Sequence, residues 1–143
     1  MSLNDSNYYI FVTTGTGTLA VEGDLKSLIG NSDYVKSYQF FNLFKGCSNI
    51  TNISGLVFPP TVADFCFSNM FLNCTGLVNA STTLPATILA RWCYNSMFGG
   101  CSALTSAPSI AGTTIAPFCF YSMFYGCSSL KDAPAIIARN MDK

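Results

Sequence analysis

Seven cysteines are the residues of this chain best suited to chemistry, and their spacing decides which chemistry they favour. Cys47, Cys74, Cys101 and Cys127 recur at intervals of 27, 27 and 26 residues, and Cys66, Cys93 and Cys119 each stand eight residues before a member of that series. Zinc sites take cysteine in close pairs such as C-x2-C. Here the gaps alternate between 8 and 18 or 19, and the chain has no histidine to complete a ligand set. Disulfides are a second reading, because cysteines of one column on neighbouring units would approach bridging distance. The odd number and the apolar surroundings favour a third: buried thiols packed as small hydrophobes.

The other reactive side chains form no constellation. Without histidine there is no Ser/His or Cys/His nucleophile pair and no imidazole ligand. Glu22, Asp24, Asp64 and Asp132 make no spaced pair for acid/base work. The GTGTL stretch lacks the GxxxxGK[ST] spacing of a phosphate loop. The expectation is therefore no catalytic residue, no metal, no cofactor and no enzyme. Sequons such as Asn49-Ile50-Thr51 and Asn73-Cys74-Thr75 arise from a composition rich in Asn, Ser and Thr, and Asn4 heads another.

Charge narrows the partners. Seven basic and seven acidic residues cancel, and between Gly46 and Leu130 only Asp64 and Arg91 are charged. A neutral chain lacks the basic footprint of a nucleic-acid binder. Half of the 143 residues are apolar and the mean hydropathy is +0.37, yet polar residues interrupt every apolar run before the roughly 18 residues that span a membrane. No basic segment followed by an apolar stretch marks a signal peptide at the N-terminus. The apolar half thus reads as a core, with no membrane insertion.

The elements that position the cysteines follow from an internal repeat. YQFFNLFKGCSNITNIS, FCFSNMFLNCTGLVNAS, WCYNSMFGGCSALTSAP and FCFYSMFYGCSSLKDAP align, with Gln39 in place of the first cysteine. Cys66, Phe67, Met70, Phe71 and Cys74 fall at i, i+1, i+4, i+5 and i+8, a stripe that predicts a short helix, and the third and fourth units repeat it. Gly46, Asn73, Gly100 and Gly126 stand where such a helix would end in a left-handed cap. Beyond each later cysteine, apolar positions at Ile50, Leu77, Leu104 and Leu130 predict a short extended segment. The expected fold is an α/β solenoid of about four helix–strand coils over residues 35–143. Residues 1–34 form a β-rich N-terminal cap, with a hairpin turning at Gly15-Thr16-Gly17. Ile136 and Ile137 either cap the last coil or leave it open to another chain, so an oligomer through the C-terminal coil is one expectation.

The SMFxGCxxLxxAP and LPATxLAxxCY strings resemble the BspA-like class of bacterial leucine-rich repeats, over about residues 35–137. The segment YYIFVTTGTGTLAVEGDLKSLIG is similar to stretches that precede such arrays in gut-bacterial and gut-phage proteins. The resemblance implies strands on one side, short helices on the other, and adhesion or recognition at a cell surface.

Surface residues supply the candidate site. Tyr121 and Tyr125 occupy outward columns held elsewhere by smaller or polar residues, and with Arg91 and Trp92 they would form an amphipathic aromatic patch. On the strand face Thr51 and Asn52, Val78 and Asn79, Thr105 and Ser106, and Lys131 and Asp132 form a second, polar candidate surface. The expected function is a non-enzymatic binding module presenting a repeat surface to a protein or glycan, located outside the cell or on its surface. The alternative is a bacteriophage virion component that assembles with other virion subunits.

Overall fold

The computed structural model describes residues 17–132 and 134, together with the backbone of residues 2–3 and 9–10. The turn at Gly15-Thr16, the sequon at Asn4, and Ile136 and Ile137 lie outside the described residues. The α/β solenoid of helix–strand coils is overturned. Among the described residues the one helix is a 3-10 helix at Leu25–Ile29, capped by the Asp24 side chain, and it lies outside the repeats. The strands are two or three residues long and form separate two-stranded sheets. β1 (Ser2–Leu3) pairs antiparallel with β2 (Tyr9–Ile10). β3 (Leu19–Ala20) pairs parallel with β5 (Ile50–Asn52), β4 (Gly23–Asp24) with β6 (Leu56–Val57), and β7 (Thr83–Leu84) with β8 (Ser109–Ile110). Of the expected hairpin, residues 11–16 lie outside the described residues; Tyr9–Ile10 pairs with Ser2–Leu3, and Leu19–Ala20 pairs with the first repeat.

Each predicted helix is instead a ribbon of tight turns. In the second unit the N–H groups of Cys66, Ser68, Met70, Leu72 and Cys74 donate to carbonyls three residues back. The alternate N–H groups, of Phe65, Phe67, Asn69, Phe71 and Asn73, donate across to Arg91, Cys93, Asn95, Met97 and Gly99 at 2.7–3.1 Å. The first and third units repeat the pattern. Every fourth residue is left-handed: Phe65, Asn69 and Asn73 have φ of 59°, 59° and 61°. A left-handed residue at that interval stops right-handed winding and turns half the peptide planes toward the next unit. The stripe at 66, 67, 70, 71 and 74 has a period of four, which over two turns is hard to tell from the helical 3.6.

Residues 26 or 27 apart therefore lie in register, and their side chains stack in columns. Phe40, Phe67, Tyr94 and Phe120 stack at centroid distances of 5.4, 6.0 and 6.1 Å, and Phe44, Phe71, Phe98 and Phe124 at 5.4, 5.4 and 5.6 Å. Leu43, Met70, Met97, Ile50, Leu77 and Leu104 complete one continuous core. Residues 17–34 lie against the first unit through β3 and β4, and Leu25 is buried there.

Candidate functional site

The cysteines are structural in this arrangement. No disulfide joins any of the seven, and all are buried except Cys127, which is half-buried. The later column is a ladder of thiol donors: Cys74 Sγ donates to Phe44 O at 3.0 Å, Cys101 Sγ to Phe71 O at 3.1 Å and Cys127 Sγ to Phe98 O at 3.1 Å. A thiol is small enough for the core and still reaches a carbonyl of the preceding unit. Burial pushes Cys66 and Cys74 up to about 12 and raises Cys101 as well, so none of the three is a thiolate nucleophile near neutrality. Cys93 is raised by its hydrogen bond with Cys119 and by burial. Among the described residues no group of three or more Cys, Asp or Glu side chains is placed to hold a metal ion. No helix there is long and apolar enough to cross a membrane.

The polar strand-face residues spend much of their bonding capacity within the chain. Thr51 Oγ1 donates to Leu19 O at 3.3 Å, and Thr105 Oγ1 to Val78 O at 3.2 Å. Asn52 Oδ1 accepts from Ser54 N, and Asn79 Oδ1 from Ser81 N and Ser81 Oγ. Asn52, Asn79 and Ser106 form successive parallel bridges. The threonine hydroxyls tie each segment to the chain beside it, whereas the Asn52 and Asn79 side chains close local turns and these residues cross between units through their backbone. Lys131 and Asp132 are exposed on the fourth unit.

The aromatic residues converge. Tyr38, Phe65, Trp92 and Phe118 stack on the flank of the molecule at centroid distances of 4.8, 5.8 and 4.4 Å, with planes within 11° of parallel. Tyr121 meets Trp92 edge-on at 5.5 Å and Phe118 at 6.2 Å. Trp92 and Tyr121 are thus brought together, whereas Tyr125 makes no ring contact among the described residues and is 79% exposed. The Arg91 side chain is exposed beside the column, and its backbone N–H donates to Asp64 Oδ1 at 3.0 Å. Gly46, Asn73, Gly100 and Gly126 take left-handed φ as one column of the turn ribbon, not as the ends of helices.

All four stacked residues are left-handed, with φ of 61°, 59°, 56° and 62°. For bulky side chains this conformation costs on the order of 1–3 kcal/mol each and persists only where its surroundings impose it. Ring stacking offsets part of that cost, at about 0.5–1.5 kcal/mol per pair. Sequence reasoning had singled out Trp92 and missed Tyr38, Phe65 and Phe118. The signal was present: each stands immediately before the first cysteine column at positions 39, 66, 93 and 119. Stacking hides the ring faces of Phe65 and Trp92, which offer edges, while Tyr38 ends the column at the first unit with Phe41 edge-on beside it at 5.4 Å. Phe118 ends the column at 56% exposure, beside Tyr121 at 56%. No family model matches the chain, and neither a curated protein nor a solved structure does.

Proposed function

We propose that this protein is a non-catalytic recognition module whose binding site is the exposed end of the flank aromatic column, formed by Phe118 and Tyr121 over Trp92. One observation carries the reading: two large aromatic side chains, each more than half exposed, are held in fixed relative orientation by a stack of three further rings. Exposed, preordered aromatics bind with little loss of side-chain freedom, and they suit CH-rich sugar faces or apolar protein side chains. With so few charges nearby, contact rests on shape and neutral groups. The resemblance of the repeat strings to the BspA-like family implies the same class of activity, at a cell surface. An array of neutral oligosaccharides and cell-surface proteins tests it, with the single Trp92 as a fluorescent reporter. Phe118→Ala and Tyr121→Ala are each expected to weaken binding about tenfold or more, a loss of about 1.4 kcal/mol. Val57→Ser, at an exposed residue of β6, should leave it unchanged. Binding that survives both aromatic substitutions would remove the site.

The second reading, a bacteriophage virion subunit, is favoured by the open edge of the fourth unit, where ribbon N–H groups face no acceptor among the described residues.

A further inference from the structure

The fourth unit ends the ladder with one kind of group only. Its carbonyls at Phe118, Phe120, Ser122 and Phe124 accept from N–H groups three residues ahead, and those of Pro117, Cys119, Tyr121, Met123 and Tyr125 accept from the third unit. The N–H groups of Phe118, Phe120, Ser122, Phe124 and Gly126 have no acceptor among the described residues. In every earlier unit the matching N–H groups donate to a following ribbon. Three ring columns stop on the same face, at Phe118, Phe120 and Phe124. Beside them Ile110, Met123 and Pro134 help to line a hollow of about 460 Å³.

Such a face selects its occupant. It needs a row of carbonyls at alternate residues, with aromatic rings to continue three stacks at 4.4–6.1 Å. Two fourth units meeting end to end would set donors against donors. The first unit of a second copy cannot continue those stacks, because its Phe40 and Phe44 are buried, and its Phe41, Phe44, Cys47 and Asn49 are already partnered. We infer that the fourth-unit face docks a segment of the same repeat pattern supplied by a different polypeptide, which accepts the five N–H groups on its carbonyl row. This inference does not rest on the flank binding site, although Phe118 belongs to both surfaces.

Residue-resolved amide hydrogen exchange on the intact protein tests it. The probe is a synthetic peptide of sequence PFCFYSMFYGCSSLKDAP under reducing conditions, with a scrambled peptide as control. In the isolated protein the five N–H groups should exchange about 100-fold faster than those of Tyr121, Met123, Tyr125 and Cys127, which are bonded within the ribbon. The peptide should slow the five saturably, by about tenfold or more, while protection in the second unit stays constant. Four results would each overturn the proposal. The first is protection of the five in the isolated protein, which means the chain closes its own face. The second is protection that grows with protein concentration, which makes a second copy the occupant. The third is no effect of the peptide up to about 1 mM, a binding free energy of only about −4 kcal/mol. The fourth is equal protection by the scrambled peptide.

Discussion

Three glycine-to-alanine substitutions separate backbone strain from the close approach of neighbouring units. Gly46 has φ +75°, and an added Cβ there would meet nothing within 4 Å. Gly46→Ala therefore carries strain alone: about 1–2 kcal/mol for a left-handed residue, less about 0.4–1 kcal/mol from the stiffer unfolded chain, for a net loss of about 1 kcal/mol. Gly100 has φ +74°, and its new Cβ would also run into Asn73 Oδ1 on the second unit. That side chain can move, so Gly100→Ala should cost about 2 kcal/mol, and Asn73→Gly in the same chain should return the loss to the Gly46 value. Gly76 is not left-handed, but its Cβ would overlap the backbone carbonyl oxygen of Ser48, with the carbonyl carbon at 3.3 Å. A backbone carbonyl cannot swing aside, so the first and second units must part. The bonds at risk run from Val78 N and Asn79 N to Thr51 O, at 2.9 and 3.1 Å, and from Cys74 Sγ to Phe44 O, at 3.0 Å. At about 1 kcal/mol each, with lost packing added, Gly76→Ala should cost about 3–4 kcal/mol. Urea unfolding followed through Trp92 fluorescence gives the three values, with a constant m-value as the check on two-state behaviour. Thermal midpoints should shift by about 2–4 °C per kcal/mol. If Gly76→Ala is no more destabilising than Gly46→Ala, the in-register spacing of the units is wrong.

The thiols set a pH dependence of definite sign. Cys66 and Cys74 are pushed from 9.0 up to about 12, so below about pH 9 they are protonated in both states and their contribution is fully present. Between about pH 9 and 12 the unfolded chain releases protons that the folded chain keeps, and stability falls by up to about 1.4 kcal/mol per pH unit for each thiol. Urea midpoints at several pH values across that window check the slope, and a flat profile contradicts the burial of these thiols. Native protein should resist iodoacetamide at pH 8, whereas all seven cysteines should react after denaturation. In the core, Leu104→Ala should cost about 2–5 kcal/mol and the exposed Val78→Ala under about 0.5 kcal/mol in the same unfolding assay.

The register of the repeat was legible because it rests on side chains: a cysteine, a phenylalanine and a glycine or asparagine recurring together can be aligned without knowing the backbone between them. The backbone itself was not legible. Five apolar residues at 66, 67, 70, 71 and 74 fit a helical face and a four-residue ribbon equally well. The difference lies in where alternate N–H groups go, and that is settled by a strand of chain 26 residues away. The N-terminal pairing was not legible for a related reason: Leu19–Ala20 finds a parallel partner at Ile50–Asn52, in the first repeat, which no local pattern announces. Of the candidate surface, Trp92 and Tyr121 could be found one residue at a time. The column that holds them appears only when Tyr38, Phe65, Trp92 and Phe118 are set side by side.

The direction of the ribbon bonds gives the molecule an electrical axis. At each of the three junctions between units, five peptide N–H groups on the ribbon side point from the earlier unit to the later one. Each peptide carries a dipole of about 3.5 D, and aligned dipoles sum along a row as they do along a helix. The flank of the first unit is thereby the negative pole of this side and the flank of the fourth the positive pole, in a chain whose seven acidic and seven basic side chains cancel. A protein with no net charge thus still has two electrostatically distinct ends, and any partner meets one or the other.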